Sequence, residues 1–412
     1  MTVHWQQKFI APSIFLAAVF LQLVFLAVLP KSFSSNNSRD YAMYYDPAAQ
    51  SLLDGKGLAT PSGRFLTLYP PGFPLFLAAA YRAADALGVD RLRMILAANV
   101  LCMAVACVLV FLTARKLFGE RTGLISAALW ISYVFNLWLV KQPNSEIPFI
   151  PLFYGAVLCF ILSLLKQNAQ WALLSGLLLG GAGVVRPIVL FLPGILGAFF
   201  LLRRGIPLQR RVLLATLLVA GFVIAVLPWE REVHRHIGKI VPLSTNGAAS
   251  ILDGITFTRH SGDYAVPAAA ADLMERMSEH LRELQTTGSI FHYLASELRQ
   301  DPAAVLELYA LKIGRAWYGT ESGAHETTIA VLQFVYLLCC GAGMISAWKR
   351  FPEQRCFLAL FLALVFYFWG MAVIALSIMR YMIPAIAFLL IPLAAALESR
   401  LSTKLPSTPP SR

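Results

Sequence analysis

The chain has 412 residues, 58% of them hydrophobic and only 14% charged, with a mean hydropathy of +0.67. Soluble domains carry about 25% charged residues, so an ordinary soluble enzyme, a disordered chain and a disulfide-rich secreted module are all excluded. What fits is an integral membrane protein with many spans, in which the net charge of +12 sets orientation rather than attracting a nucleic acid.

Apolar runs of span length predict an all-α polytopic fold of about ten transmembrane helices. They lie near residues 9–30, 93–114, 122–140, 147–165, 171–185, 187–202, 212–228, 327–347, 356–377 and 381–397. The first run, Phe9 to Leu29, follows Lys8 and precedes no small-residue cleavage site, so it is expected to be a retained span. In the first outer loop, 31–92, Asp46-Pro47 opens a short helix through Leu53 that Gly55 closes. Pro70-Pro71-Gly72 then starts a second helix, Phe73 to Leu87. It is short for a span and interrupted by Arg82 and Asp85, and is expected to lie on the outer membrane face. The fifth and sixth spans are short and meet at Arg186-Pro187.

Beyond the seventh span, residues 229–326 are too long for an idle connection. They carry a helical stripe of Met274, Met277, Leu281 and Leu284, and a second run near Ser289–Tyr318. Three regions follow: a transmembrane core over 1–228 that includes the 31–92 loop, an outer segment over 229–326, and C-terminal spans with a tail over 327–412. With the N-terminus cytoplasmic, the inner connections hold Arg115, Lys116, Arg121, Lys166, Arg203, Arg204, Arg210, Arg211, Lys349, Arg350 and Arg355, and the tail adds Arg400 and Lys404. The short outer loops hold Lys141, Arg186 and Arg380, so the positive-inside rule places both termini inside.

The six cysteines lie in or against apolar runs without a CxxC spacing and read as small buried hydrophobes. His234 and His236 point apart on a helix, and His260, His280, His292 and His325 are scattered, so no metal site is expected. Asn36-Asn37-Ser38 matches the glycosylation sequon, which has meaning only in a secretory compartment.

An ionisable group at a membrane face is costly and often functional. Asp40, some ten residues past the first span, is either a general base toward an acceptor hydroxyl or a solvated acid beside a helix start. Glu146, in the outer turn Lys141-Gln142-Pro143-Asn144-Ser145-Glu146, suits a helix N-terminus through the dipole and also puts a second acid at that level. Arg186 and Arg380 stand at outer span ends. Snorkelling to the headgroups accounts for such arginines, and so does a clamp on a lipid-linked phosphate, whose oxygens a guanidinium fork matches.

Several ordered segments together resemble a known family. These are Asp40 with Tyr44, Ala49 and Ser51-Leu52-Leu53-Asp54-Gly55-Lys56-Gly57; Tyr69-Pro70-Pro71-Gly72-Phe73-Pro74-Leu75-Phe76-Leu77-Ala78; and Ser145-Glu146. Next come Gly176-Leu177-Leu178-Leu179-Gly180 leading to Arg186-Pro187, Leu227-Pro228-Trp229, Val241-Pro242-Leu243-Ser244-Thr245-Asn246-Gly247, and Arg380-Tyr381 with Pro384. The chain resembles GT-C glycosyltransferases of the protein-mannosyltransferase-like group, related to lipid A aminoarabinose transferases and to bacterial glycosyltransferases of family 39.

The resemblance implies Asp40 as catalytic base, Glu146 as an acid that holds donor or acceptor, and Arg186 and Arg380 near the donor phosphate. It also implies substrate contacts from Tyr44, Tyr69 and Tyr381. Many relatives have Lys before the paired prolines where this chain has Tyr69. The expected donor is a polyprenyl-phosphate sugar and the acceptor a glycan, lipid or protein, with membrane lipid around them. No cofactor is called for and no nucleic acid is involved. The expected location is a bacterial inner membrane with the site on the periplasmic face. Alternatives are a lipid-linked saccharide flippase, which needs ionisable groups at mid-span and pseudo-symmetric halves, and a surface-polysaccharide polymerase or ligase that shares the carrier lipid.

Overall fold

The computed structural model describes residues 2–30, 38, 40–60, 62–256 and 266–402. Asn36, Asn37, Arg39, His260 and Lys404 lie outside the described residues. The chain divides into two compact units, Met1–Ser244 with Ala394–Arg412, and Thr245–Leu393.

In the first unit, α1 (Thr2–Val28) is followed by a π-helical turn at Tyr41–Tyr45 that runs directly into α2 (Asp46–Leu53). Then come α3 (Gly72–Leu87), α4 (Arg91–Phe118), α5 (Glu120–Ser132), α6 (Val134–Val140), α7 (Glu146–Lys166) and α8 (Ala169–Val185). A single 3-10 turn at Pro187–Val189 leads to α9 (Leu192–Leu202) and α10 (Leu208–Ile237). The second unit holds α11 (Gly247–Thr256), α12 (Ala268–Glu279), α13 (Thr287–Gln300), α14 (Pro302–Arg315), α15 (Glu326–Arg350), α16 (Arg355–Ile374) and the start of α17 (Ile383–Ser402). Among the described residues there is no strand, only an isolated bridge between Ala59 and Phe65.

The fold is therefore the expected all-α membrane architecture, but the helix count differs from ten. Among the described residues seven helices are long and apolar enough to cross a membrane, α1, α4, α7, α10, α15, α16 and α17, or up to eight if a bent pair counts as one span. The predicted span 122–140 is a pair, α5 and α6, bent by 58°. The break is at Tyr133, whose backbone is extended (φ −64°, ψ 110°) and whose ring is buried, and Asn136 Nδ2 donates to the Trp130 carbonyl across it at 2.7 Å. The predicted spans 171–185 and 187–202 are shorter apolar helices. They are separated because the residue before a proline is pushed out of the helical region, and Arg186 indeed adopts φ −142° and ψ 125°.

α7 and α8 form an antiparallel hairpin, and α10 packs on α8 through glycine. A Cβ at Gly176 would stand 2.0 Å from the Leu218 carbonyl oxygen, one at Gly180 2.7 Å from that of Phe222, and one at Gly221 2.5 Å from that of Leu173. The Gly176-Leu177-Leu178-Leu179-Gly180 run is thus a small-residue face that lets two backbones touch. At one end of this hairpin Arg210 of α10 donates to the Gln167 carbonyl in the α7–α8 turn, beside Lys166. Glu146 and Arg186 stand at the other.

The short outer-loop helices form as expected. α3 buries Phe73, Leu77, Ala80, Tyr81 and Ala84, spaced as one helical face. Gly88, at φ +64°, provides the left-handed cap that ends the helix. In the second unit α11 to α14 enclose a core that includes Ile255, Leu273, Met274, Met277, Leu284, Ile290 and Leu308. The expected stripe fails at Leu281, which is exposed because α12 stops at Glu279.

Candidate active site

The start of α7 is shaped by amides. Asn99 of α4 donates to the carbonyls of Val140 (3.2 Å) and Gln142 (3.0 Å), and Asn144 donates to that of Leu139 (2.8 Å). These bonds satisfy carbonyls that the end of α6 leaves without helical partners. They fix the turn that delivers Ser145 and Glu146 to the first position of α7. Lys141 lies in the same turn with its ammonium 4.0 Å from the centre of the Trp138 ring, and burial pushes its pKa down.

Glu146 is 1% exposed and its Oε1 stands 2.7 Å from Nη1 of Arg186, which also donates to Ser145 Oγ at 2.7 Å. The chain brings this pair together by local rules: the helix dipole favours an acid at the start of α7, and Pro187 turns Arg186 out of α8 toward it. A carboxylate this enclosed needs a charged partner, and a guanidinium whose neighbours are already fixed is held in a single orientation.

The first outer loop packs around the same end of α8. A Cβ on Gly72 would lie 2.7 Å from the Val184 carbonyl oxygen, so only glycine allows the Pro70-Pro71-Gly72 corner to sit there. Just before it, the Leu68 carbonyl accepts from Ser244 Oγ at 2.7 Å. Leu243 is fastened in turn: its N–H donates to Glu230 Oε1 (2.6 Å), its carbonyl accepts from Trp229 Nε1 (2.8 Å), and its side chain lies against Gly183. The runs around Tyr69, Arg186, Trp229 and Leu243, far apart in sequence, therefore converge on one end of α8.

Tyr69 packs its ring on Tyr44 (centroids 5.5 Å apart) and on Tyr45 (4.8 Å). Tyr44 and Tyr69 are thus joined, and Tyr45 also meets Phe73 edge-on. Asp40 immediately precedes the π-helical turn and is half-buried, and its carboxylate makes no hydrogen bond or ion pair among the described residues. Behind the turn, Tyr81 donates to Asp46 Oδ1 at 2.6 Å, and the Tyr41 and Tyr81 hydroxyls lie 2.9 Å apart. Since Tyr81 spends its proton on Asp46, Tyr41 donates to Tyr81. Burial raises the pKa of Tyr41, and raises that of Tyr81 far above the usual tyrosine range together with its bond to Asp46, so both remain protonated donors.

In the second unit Arg380 lies in a single helical turn, Met379–Tyr381, between α16 and α17. Its Nη2 stands 2.6 Å from Glu321 Oε1, and its guanidinium is 5.5 Å from the centre of the Tyr381 ring. The connection that carries it is anchored from α14. Lys312 Nζ donates to the Ala375 carbonyl at 2.8 Å, and Arg315, fully buried, pairs with Glu326 at 2.7 Å. The Met379 N–H bonds to the Gly319 carbonyl at 2.9 Å. Among the described residues no group of three or more His, Cys, Asp or Glu could hold a metal ion.

Tyr81, Asp46 and the Lys312–Arg315–Glu326 cluster escape the sequence reading. A tyrosine on an otherwise apolar face of α3 is the one available signal, because a buried hydroxyl needs a partner. The cations on α14 read as an ordinary basic end of a helix.

Comparison with known proteins adds the following. A family model described as dolichyl-phosphate-mannose-protein mannosyltransferase matches residues 69–229. The match is less than half of the chain. It takes in Tyr69, Glu146 and Arg186, and leaves Asp40, Tyr44, Arg380 and Tyr381 outside. No curated protein sequence matches the chain. Among solved structures, the oligosaccharyltransferase AglB from Archaeoglobus fulgidus, in complex with an inhibitory peptide and a dolichol-phosphate, superposes with a TM-score of 0.56 at 15% identity. That alignment covers 98% of this chain and 53% of the archaeal one. The Archaeoglobus fulgidus oligosaccharyltransferase tethered with an acceptor peptide gives 0.56 at 14% identity, covering 97% and 50%. ArnT from Cupriavidus metallidurans bound to undecaprenyl phosphate gives 0.47 at 13% identity, covering 98% and 79%, a score too low to argue from. The chain thus spans about half the length of the archaeal oligosaccharyltransferases, and at these identities the likeness is one of fold.

Proposed function

We propose that this integral membrane protein, which has the GT-C glycosyltransferase fold, transfers a sugar from a polyprenyl-phosphate donor to an acceptor hydroxyl. The observation that carries the reading is the buried Glu146–Arg186 pair, at the end of α8 where the Tyr69–Gly72 corner also packs. A guanidinium held at a helix end suits a phosphate, and the dolichol-phosphate of the archaeal oligosaccharyltransferase complex supports a lipid-phosphate donor. The acceptor is a glycan, a lipid or a protein. The charge map favours a periplasmic site in a bacterial inner membrane, with both termini cytoplasmic.

The reaction needs little from the protein. The acceptor oxygen bonds to the anomeric carbon, the bond from that carbon to the phosphate oxygen breaks, and the lipid phosphate leaves with the electron pair. It needs no acid, because phosphate is already a good leaving group. In this reading Asp40 takes the acceptor proton, and Arg186 offsets the charge that grows on the phosphate. Glu146 orients Arg186, and Tyr44 and Tyr69 flank the substrates. The flippase alternative fares worse, because the buried charges Glu146, Lys312, Arg315 and Glu326 sit at helix ends or outside the span-length helices.

The test is transfer from a radiolabelled polyprenyl-phosphate sugar in membranes carrying Asp40→Asn. Activity should fall by about 100-fold or more, as for loss of a general base. Activity near that of the unsubstituted protein would overturn the role given to Asp40.

A further inference from the structure

The first outer loop places one hydroxyl in an unusual position. The π-helical turn Tyr41–Tyr45 closes when the Asp46 N–H bonds to the Tyr41 carbonyl. The side chains of the same two residues are joined a second time, through α3. Tyr41 donates to the Tyr81 oxygen at 2.9 Å, and Tyr81 donates to Asp46 Oδ1 at 2.6 Å. A single hydroxyl thus bridges both ends of the turn that begins immediately after Asp40.

We infer that Tyr81 is a positioning residue for the reaction. It holds the π-helical turn in register and so fixes where Asp40 presents its carboxylate. The inference rests on the reading of Asp40 as the base. A π turn stores backbone geometry that an α-helix relaxes, and such turns are often kept at functional sites. Here it is held from two sides. On one, the Tyr44 and Tyr45 rings pack at a tilt against Tyr69, and Tyr45 meets Phe73 edge-on. On the other, the rings give way to hydrogen bonds through Tyr81, which is 1% exposed.

Tyr81 is itself fixed. The Arg91 guanidinium lies 5.0 Å from the centre of its ring, and a bidentate bond to Asp85 (3.0 and 2.8 Å) holds that arginine in place. Asp46 has its other oxygen occupied by Gln50 at 2.9 Å. Every group in the bridge therefore has a defined partner, and none of them needs to touch substrate.

Tyr81→Phe removes the bridging oxygen and keeps the ring. Misplacing a reacting group slightly costs about 10- to 100-fold in rate, so kcat for sugar transfer should fall by that range while the donor KM stays within about twofold. Membrane abundance and melting temperature in detergent should stay close to those of the parent. In an Asp40→Asn background, Tyr81→Phe should lower the residual single-turnover rate no further, because its effect passes through Asp40. Should Tyr81→Phe fail to accumulate, Tyr41→Phe removes the other half of the bridge and is expected to show the same split. The inference is overturned if the phenylalanine variant keeps its kcat. It is equally overturned if kcat, KM and melting temperature move together, or if the two substitutions add. An Asp40→Asn protein that transfers sugar normally overturns the reading of Asp40 itself, and so separates the two failures.

Discussion

Glu146 is enclosed to within 1% of its surface and lies 2.7 Å from a guanidinium that is itself 12% exposed. Removing one member of a buried ion pair strands the other and costs about 3–5 kcal/mol, whereas replacing both is far milder. Glu146→Gln should therefore lower the melting temperature of the detergent-solubilised protein, and Glu146→Gln with Arg186→Met should restore much of the loss. An equal or larger loss in the double variant would show that the pair is not coupled. Lys312 gives a second prediction, in pH. Burial first, and the neighbouring Arg315 second, push its pKa down to about 7, against about 10.4 in an unfolded chain. Between these values the unfolded chain binds more protons, so stability should rise with pH across that window. Lys312→Met should flatten the rise, which a melting series from pH 7 to pH 10 will show. At this scale the sequence revealed the position of Glu146 and of Arg186, because a helix start and a proline announce themselves locally. It did not reveal that they meet, nor that Tyr81 reaches Asp46, because those contacts depend on how α3 and α8 are placed.

Among the elements, α8 and α10 show most clearly how pattern becomes packing. A side chain added at Gly176 meets the Leu218 carbonyl at 2.0 Å, while one at Gly341 of α15 meets nothing within 4 Å. Gly176→Val should reduce folded yield and melting temperature, by more than the roughly 1–3 kcal/mol of ordinary overpacking, because backbone rather than a movable side chain blocks the space. Gly341→Ala should be neutral or slightly stabilising, as for glycine in a helix interior. If the two behave alike, the helices do not approach as described. The glycine run was visible in the sequence as a motif, yet its meaning was not, since small residues alone do not name the facing helix. Helix ends were legible where chemistry marks them, at Gly88 and before Pro187. The 58° bend at Tyr133 carries neither glycine nor proline and was read through as one span. At the bend Asn136 Nδ2 donates to the Trp130 carbonyl at 2.7 Å, a side chain in place of a helical donor, which a hydropathy profile cannot display.

For the molecule as a whole, the decisive pattern is the distribution of charge. Arg210 and Lys166 lie at one end of the α7–α8 hairpin, and Glu146 and Arg186 at the other. The hairpin therefore has a basic end and an end with a neutralised pair. If the basic end is cytoplasmic, residues 229–326 are expected to face outward, as the proposed topology requires. In a cysteine-free background a cysteine at exposed Glu279 should react with an impermeant maleimide in intact spheroplasts, and one at exposed Arg204 only after permeabilisation. The reverse pattern would invert the proposed topology and move the site to the cytoplasm. Membrane class was readable from composition, because soluble domains carry about 25% charged residues, and the all-α fold from apolar runs of span length. The span count was not, because α8 and α9 are apolar but short, and length is what the hydrocarbon measures.

The contact between the start of α7 and the end of α8 also constrains how the protein is made. Glu146 leaves the ribosome well before Arg186, with all of α7, the turn at Gln167 and all of α8 between them. A lone carboxylate kept from water is costly to insert, and so is the arginine that follows. If the two helices enter the bilayer as one hairpin, the charges arrive already paired and both costs are reduced. On that route α7 settles only once Pro187 has been synthesised, so the pair bears on the order of biogenesis as well as on the geometry of a site.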